Sequence, residues 1–361
     1  MTIKNLDYKK FSQRINEKAY KKRFPLHAMF ELTYRCNFNC IHCYNTEEQK
    51  KGHSHHELET AEVFSILEQL RDLGGFYLGF TGGEVFLRQD IWTILWHARK
   101  LGFEIVILTN GSFIDKLVAD ELARLRPNKV DITFHAMDKK IFEKITRHPG
   151  SYDKVFQAIE LLHERKIPLG LKTCGMQLNE KEVVKVSRFA RSLDVLFRFD
   201  EEMLPRVDRS KDPIKYGISF EMGYRLNQLC YPEMFNEYDS EGKRRETVKP
   251  PKKNMKRLFN CGAGFTDLTI SPYGELNICI EIHHPRYKIL KGSLAEGWEQ
   301  TRRLVDNLKP PEDWACRTCS LTPYCSWCPA RGYLEDGNFA TCDPYSRREA
   351  EFCKRISDED E

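Results

Sequence analysis

Three cysteines stand within eight residues, in the run Cys36-Asn37-Phe38-Asn39-Cys40-Ile41-His42-Cys43. Intervals of four and three residues let three thiolates converge from one short loop on a small inorganic core. A cubane of four irons takes four ligands, and no fourth cysteine is nearby. One iron then keeps an open coordination position, which marks a place of chemistry rather than a structural staple. A zinc site completed by His42 and a run of unligated thiols are the alternatives that spacing leaves open. A second set lies far downstream. Cys261-x12-Gly274-x4-Cys279 is followed by Cys316-x2-Cys319-x5-Cys325-x2-Cys328, with Cys342 and Cys353 beyond. Zinc ribbons separate their cysteine pairs by roughly 15–20 residues, whereas five residues stand between Cys319 and Cys325. Seven or eight thiolates are enough for two four-ligand iron–sulfur sites. A single cluster and zinc remain the alternatives there.

The chain has 361 residues and 13 cysteines, of which only Cys174 and Cys230 lie outside these two sets. The amino terminus, Met1-Thr2-Ile3-Lys4-Asn5, lacks the apolar core of a secretory signal, and no apolar run approaches the ~18 residues of a membrane span. A cytoplasmic location is therefore expected, where thiols stay reduced and clustered cysteines bind metal. A 41% hydrophobic and 30% charged composition describes a folded chain, and a net charge of +4 is too small to argue for a nucleic-acid partner. No phosphate-binding Gly-x4-Gly-Lys loop, complete Gly-x-Gly-x2-Gly or nucleophile elbow is present.

The elements that must hold the first set follow from hydrophobic periodicity. Strands are predicted over 28–33, 76–81, 104–109, 129–134, 168–173 and 195–199. Helices are predicted over 61–73, 91–101, 114–125, 152–165 and 181–193, where apolar residues recur at three- and four-residue spacing, as in Val63, Ile66, Leu67 and Leu70. Alternation of this kind predicts an α/β fold with parallel strands, and six units predict a partial (β/α)6 TIM-type barrel whose chemistry sits at the carboxyl ends of the strands. The expected organisation is a basic amino-terminal extension over 1–27, the barrel over 28–215, a linker over 216–257 and a cysteine-rich iron–sulfur domain over 258–361. The linker includes 243–257, with eight basic residues against Glu246 alone. The last segment reads as too poor in apolar residues for an ordinary core, so metal would staple it. The basic extension reads as a solvated helix, with docking of an acidic peptide as the sharper alternative. His53, His55, His56, His283 and His284 read as surface residues.

Cys36-x3-Cys40-x2-Cys43 after the first strand resembles the signature of the radical S-adenosylmethionine (radical SAM) enzymes. That resemblance implies a catalytic [4Fe–4S] cluster whose open iron binds S-adenosylmethionine, with reductive cleavage to a 5′-deoxyadenosyl radical that abstracts hydrogen. His42 stands where the family places a residue, usually aromatic, that packs near the adenine. Phe80-Thr81-Gly82-Gly83-Glu84, at the end of the second strand, resembles the family's Gly-Gly-Glu motif, with glycine backbone near the ligand and the Glu84 carboxylate available to its ammonium. Thr109 and Asn110 end strand three, near the ribose in relatives. Thr133 and His135 end strand four, where the usual Ser-x-Asp-Gly-like pattern is missing. Arg147 stands where several relatives carry an arginine for the ligand carboxylate. The downstream cysteines resemble the SPASM extension, which implies a first auxiliary cluster on Cys261, Cys279 and Cys328 and a second on Cys316, Cys319, Cys325 and Cys342. Two residues rather than three precede Cys328, and Cys353 is an alternative to Cys342 or a fourth ligand for the first site.

The family analogy implies oxidative modification of a peptide or protein side chain, such as a crosslink, with a flavodoxin or ferredoxin as external electron donor and neither nucleic acid nor membrane as partner. Relatives include anaerobic sulfatase maturases and the cyclase acting on the pyrroloquinoline quinone precursor peptide. The sulfatase-maturing relatives carry Asp where this chain has Ile280, which disfavours that activity. Only 27 residues precede the barrel, so a leader peptide is expected to be recognised by a separate protein or by the enzyme surface. The alternatives are a small-molecule or tetrapyrrole substrate, and an iron–sulfur electron carrier without radical chemistry. Acids at Asp200, Glu201 and Glu202 lie near the predicted barrel mouth, where a general base is possible.

Overall fold

The computed structural model describes residues 8–52, 56–235 and 254–359. A helix α1 (Tyr8–Lys22) leads into β1 (His27–Thr33) and a short α2 (Glu47–Lys51). Then come α3 (Thr60–Asp72), β2 (Tyr77–Gly82), α4 (Ile91–Lys100), β3 (Glu104–Thr109), α5 (Lys116–Leu125) and β4 (Lys129–Thr133). The helices α6 (Lys139–Thr146) and α7 (Ser151–Glu164) precede β5 (Leu169–Cys174), α8 (Glu180–Ser192) and β6 (Leu196–Asp200). The remainder is α9 (Phe220–Cys230), α10 (Pro232–Phe235), β7 (Asp267–Ile270), β8 (Glu275–Cys279), β9 (Ile282–Lys288), α11 (Leu294–Asn307), α12 (Pro329–Asp336) and α13 (Pro344–Glu359).

Strands β1 to β6 pair in parallel, each with the next, as the alternating pattern predicts. Phe30 lies opposite Phe80, Phe80 opposite Ile107, and Ile107 opposite Val130. Such strands carry apolar residues toward both faces. Phe30, Leu32, Phe80, Ile105 and Ile107 are accordingly fully buried, and Val63, Ile66, Leu67 and Leu70 of α3 pack in the same core. The result is a partial barrel with helices outside.

The cysteine-rich segment departs from its sequence reading in two respects. It does not stand on its own strands: β7 pairs in parallel with β1, and β8 and β9 continue antiparallel, giving one sheet in the order β6-β5-β4-β3-β2-β1-β7-β8-β9. It also gathers a core of its own, with Phe259, Phe265, Ile278, Val305, Trp314 and Trp327 buried together. These residues are scattered over many turns without a period, which hides them from a window search. The amino-terminal helix is likewise not merely solvated. Ala19 is fully buried, Tyr20 stacks on Phe265 with ring centroids 5.2 Å apart, and Arg23 pairs with Asp306 at 2.7 Å. Residues 236–253, most of the basic stretch, and His53 and His55 lie outside the described residues. Among the described residues no helix is long and apolar enough to cross a membrane.

Candidate active site

The loop carrying Cys36, Cys40 and Cys43 leaves the carboxyl end of β1 and is pinned by backbone bonds to the end of α6. The Asn39 and Ile41 N–H groups donate to the Thr146 and Ile145 carbonyls, each at 3.1 Å. On its other side Asn37 donates to the Ser112 hydroxyl, and the Asn110 amide donates to Asn37 Oδ1, both at 2.9 Å. Two N–H groups point at one thiol: the Phe38 amide at 3.4 Å and the Asn110 side chain at 3.8 Å from Cys36 Sγ. Donors to sulfur favour its anionic, ligating form. Burial otherwise opposes it, pushing Cys36 up to about 11 and Cys40 well above the ordinary thiol range. A loop of partly buried thiols, one of them faced by two N–H donors, fits a metal cluster that displaces the thiol protons. A zinc ion needs ligands gathered within about 2.3 Å of one point, and among the described residues no three Cys, His, Asp or Glu side chains are gathered to hold a single ion.

The three thiols line a half-open cavity of about 660 Å³ at the carboxyl ends of the strands. Gly82, Gly83, Thr109, Asn110, Thr133 and His135 line it as well. The two glycines are required by the approach of β2 to β1. A Cβ on Gly82, which also has φ of +130°, would lie 2.1 Å from the Thr33 carbonyl, and one on Gly83 would lie 2.2 Å from that of Arg35. Glu84 is placed differently from the sequence expectation that it meets the ligand ammonium. Its carboxylate is fully buried and accepts from the Thr109 hydroxyl at 2.8 Å and from the amides of Asn110 at 2.8 Å and Phe86 at 3.1 Å. It orders the end of β3 and lies behind the cavity wall. Burial raises its pKa and those three donors lower it again.

His42 is half-buried and His135 fully buried, with the His42 ring edge-on to His135 at 4.4 Å. His42 Nδ1 and both His135 nitrogens have no hydrogen-bond partner in the protein. Burial pushes His42 down to about 4, so the ring is neutral at pH 7. Unpartnered buried nitrogens in a cavity wall call for a polar ligand, which fits a bound S-adenosylmethionine. Arg147 is outside the cavity lining. It is exposed, with a left-handed φ of 52° after α6, and its guanidinium donates to the Tyr216 hydroxyl at 3.4 Å.

The cavity lining also brings in residues that the motifs did not reveal. Cys174 and Lys172 from β5, Arg198 from β6, Glu281 from the β8–β9 turn and Arg331 from α12 all line the cavity beside Asp200, Glu201 and Glu202. Cys174 was readable as a residue at a strand's carboxyl end. Glu281 and Arg331 lacked any such signal, because they enter from the other end of the sheet. Their neighbours are the downstream cysteines. Cys279, Cys316, Cys325 and Cys328 pack on the tryptophan core. Burial, then Glu281, Cys328 and Cys261, push the Cys279 thiol up. Burial, then Cys325, push Cys342 up, with a smaller push from Cys319. Cys353 is raised by burial and by Glu349 and Glu201. His283 is not the surface residue predicted. Its side chain is 13% exposed, 3.6 Å from the fully buried Glu31, and burial pushes it down to about 4. Exposed His284 matches its reading.

Residues 30–190 match the family model described as the radical SAM superfamily. That span is a radical SAM domain. As such it uses a [4Fe–4S] cluster and S-adenosylmethionine. The chain is 22% identical over 339 residues to the AdoMet-dependent heme synthase of Methanosarcina barkeri, covering 89% of this chain and 96% of that one. It is 24% identical over 325 residues to the antilisterial bacteriocin subtilosin biosynthesis protein AlbA of Bacillus subtilis, covering 85% of this chain and 68% of that one. The fold superposes on the crystal structure of Streptococcus suis SuiB bound to precursor peptide SuiA with a TM-score of 0.70 and 16% identity, over 96% of this chain and 82% of that one. The cysteine-rich carboxyl-terminal region fits the SPASM extension.

Proposed function

We propose that this radical SAM enzyme oxidatively modifies a peptide or protein side chain, forming a crosslink or a related matured product. The observation that carries this reading is the shared cavity. Cys36, Cys40 and Cys43 line it, and so do Glu281 and Arg331, neighbours of the downstream cysteines Cys279 and Cys328. A substrate seated there touches a radical-generating site and an electron-accepting region together. The bound cluster and S-adenosylmethionine supply the hydrogen-abstracting 5′-deoxyadenosyl radical. Cys36, Cys40 and Cys43 hold the cluster; Gly82, Gly83, His42, Thr109 and Asn110 shape the S-adenosylmethionine site, with Glu84 acting through Thr109 and Asn110. Arg147 reaches the ligand carboxylate only if it leaves Tyr216. Cys261, Cys279 and Cys328 hold one auxiliary cluster and Cys316, Cys319, Cys325 and Cys342 a second, Cys342 being preferred to Cys353 because it lies beside Cys325 and Cys319. A flavodoxin or ferredoxin serves as external electron donor. The similarity of AlbA and the peptide-bound SuiB fold support the substrate class.

A tetrapyrrole substrate is the second reading, favoured by the nearly end-to-end match to the heme synthase. Iron and labile sulfide after anaerobic reconstitution test the site. About twelve irons are expected per chain, falling to about eight in the Cys36/Cys40/Cys43→Ala variant. That variant is also expected to release no 5′-deoxyadenosine. Unchanged iron in the variant sinks the catalytic assignment. Incubation with a short peptide encoded beside the gene, against incubation with an iron tetrapyrrole, separates the substrates by which one changes mass.

A further inference from the structure

Arg331 sits where the two cysteine regions meet. It lies in the first turn of α12, whose N-cap is Cys328, and its backbone N–H faces the Cys328 sulfur. One guanidinium nitrogen donates to the Ser326 carbonyl at 2.7 Å, between Cys325 and Cys328. Another crosses to the barrel and donates to Glu202 Oε2 at 2.8 Å. The guanidinium also lies 5.5 Å over the Tyr345 ring. The pair is mostly out of water, with side chains 11% and 24% exposed, and both residues line the cavity. Among the described residues this cavity-lining ion pair ties the barrel to the helix that Cys328 caps.

We propose that Glu202, held by Arg331, takes up a proton when the site at Cys328 gains an electron, so that both leave the substrate at one corner of the cavity. The inference rests on the reading that the downstream cysteines hold iron–sulfur clusters. Several charges face Glu202: Arg331 from α12, Asp343 from the segment before α13, Glu281 from the β8–β9 turn, and the Tyr345 hydroxyl from α13. Burial pushes Glu202 up to about 7, Arg331 holds it down, and Asp343 and Glu281 add to the rise. The carboxyl therefore stands near half-protonation at neutral pH. A negative charge arriving beside Cys328 offsets part of the field of Arg331 at Glu202. Arginine cannot release its proton, so Glu202 is the member of the pair that responds.

The balance is simple. One electron enters the Cys328 site and one proton passes from water, or from the substrate, onto the Glu202 carboxylate. In a substrate where a carbon radical closes on a heteroatom, the carbon–heteroatom bond forms and the heteroatom–hydrogen bond breaks. Its proton goes to Glu202 and its electron to the auxiliary cluster. The next oxidation of that cluster releases the proton again.

The test needs no substrate. Reduction potentials are measured by electron paramagnetic resonance titration from pH 6 to 8.5 on the anaerobically reconstituted full chain. The wild-type holoenzyme and the Cys36/Cys40/Cys43→Ala variant, which clears the overlapping barrel signal, are both titrated. The relevant signal is the one lost in Cys328→Ala. Its potential is expected to fall as pH rises across neutrality, approaching 59 mV for each tenfold drop in proton activity, the one-electron limit. Glu202→Gln is expected to flatten that dependence while keeping iron and sulfide. Arg331→Met is expected to lower the potential and move the sloping window to higher pH. A Cys328-dependent signal whose potential ignores pH, or a slope that survives Glu202→Gln, overturns the coupling alone. Absence of any downstream cluster signal overturns both the coupling and the cluster reading beneath it.

Discussion

The two cysteine regions are held by different means. The loop of Cys36, Cys40 and Cys43 hangs from β1, which pairs with β2 on one side and β7 on the other. It is tied by backbone bonds to α6 and by side-chain amides to the end of β3. The downstream cysteines sit on turns and helix ends. Their supports are the edge-to-face pair Trp314 and Trp327, 5.1 Å apart, whose indole N–H groups donate to Ala340 and Thr341 just ahead of Cys342. Cys261, Cys319 and Cys342 are exposed, whereas all three barrel cysteines are partly buried. A site meant to bind and release a ligand must keep its shape when the ligand leaves. A site that only stores electrons has no such need and can lean on its metal.

Iron removal should therefore split the molecule, and this is the largest effect expected. After anaerobic chelation, amide hydrogen exchange in 254–343 should speed up by at least about a hundredfold. The strands β1 to β6 should change by no more than a few-fold, because structural metal contributes folding free energy to segments with small cores. Equal loss of protection in both regions breaks the comparison, and so does no loss in either. The amino-terminal helix adds a check of its own. Its Tyr20 stacks on Phe265, so the loosened segment should carry α1 with it.

What could be read in the sequence divides along the same line. The barrel strands were legible to within about a residue because all but the edge strand β6 are largely buried and each is separated from the next by amphipathic helix. The catalytic cysteines were legible because their ligand spacing lies within one loop. The four-residue β7 was not, since its partner β1 is some 240 positions away and nothing local marks the pairing. Nor was the direction of Glu84. The Gly-Gly-Glu run marks a strand end, but it is the hydroxyl and amide of Thr109 and Asn110, on another strand, that draw the carboxylate inward. His283 was misread for a similar reason. An alternating edge strand looks half-solvated until the acid it covers, Glu31, is known.

Glu31 gives the next sharpening, because it lies on β1 and faces β9. It is fully buried, accepts from the Tyr34 and Tyr44 hydroxyls at 2.8 and 3.1 Å, and is pushed by burial from 4.5 to about 7, against the pull of both tyrosines. Between those values the folded chain keeps a proton that the unfolded chain has lost. Stability thus falls as pH rises from about 4.5 to 7, and the penalty stays in full above that. Glu31→Gln cannot ionise and keeps an oxygen for both tyrosines, while neutral His283 can accept from its amide. The variant should match wild type near pH 4.5 and gain up to about 3 kcal/mol above pH 7.5. Denaturant midpoints across that range measure it. A gain that is the same at all pH values shows that the folded and unfolded chains bind this proton equally and overturns the raised pKa.

The smallest effect separates two cysteines that spacing could not. Cys342 lies beside Cys325, Asp343 and Cys319, whereas Cys353, on α13, is faced by the carboxylates of Glu349 and Glu201. Phe352, one position away, is occupied with the rings of Phe220 and Tyr224, an apolar anchorage that holds α13 without metal. Cys353→Ser should leave iron content unchanged and shift stability by less than about 0.5 kcal/mol, as for a substitution away from the core. Cys342→Ser should lose up to about four irons by comparison. The reverse result would move the second site onto α13. It would then abut Glu201 at the barrel mouth, and the sharp division between a preformed region and a metal-dependent one would no longer hold.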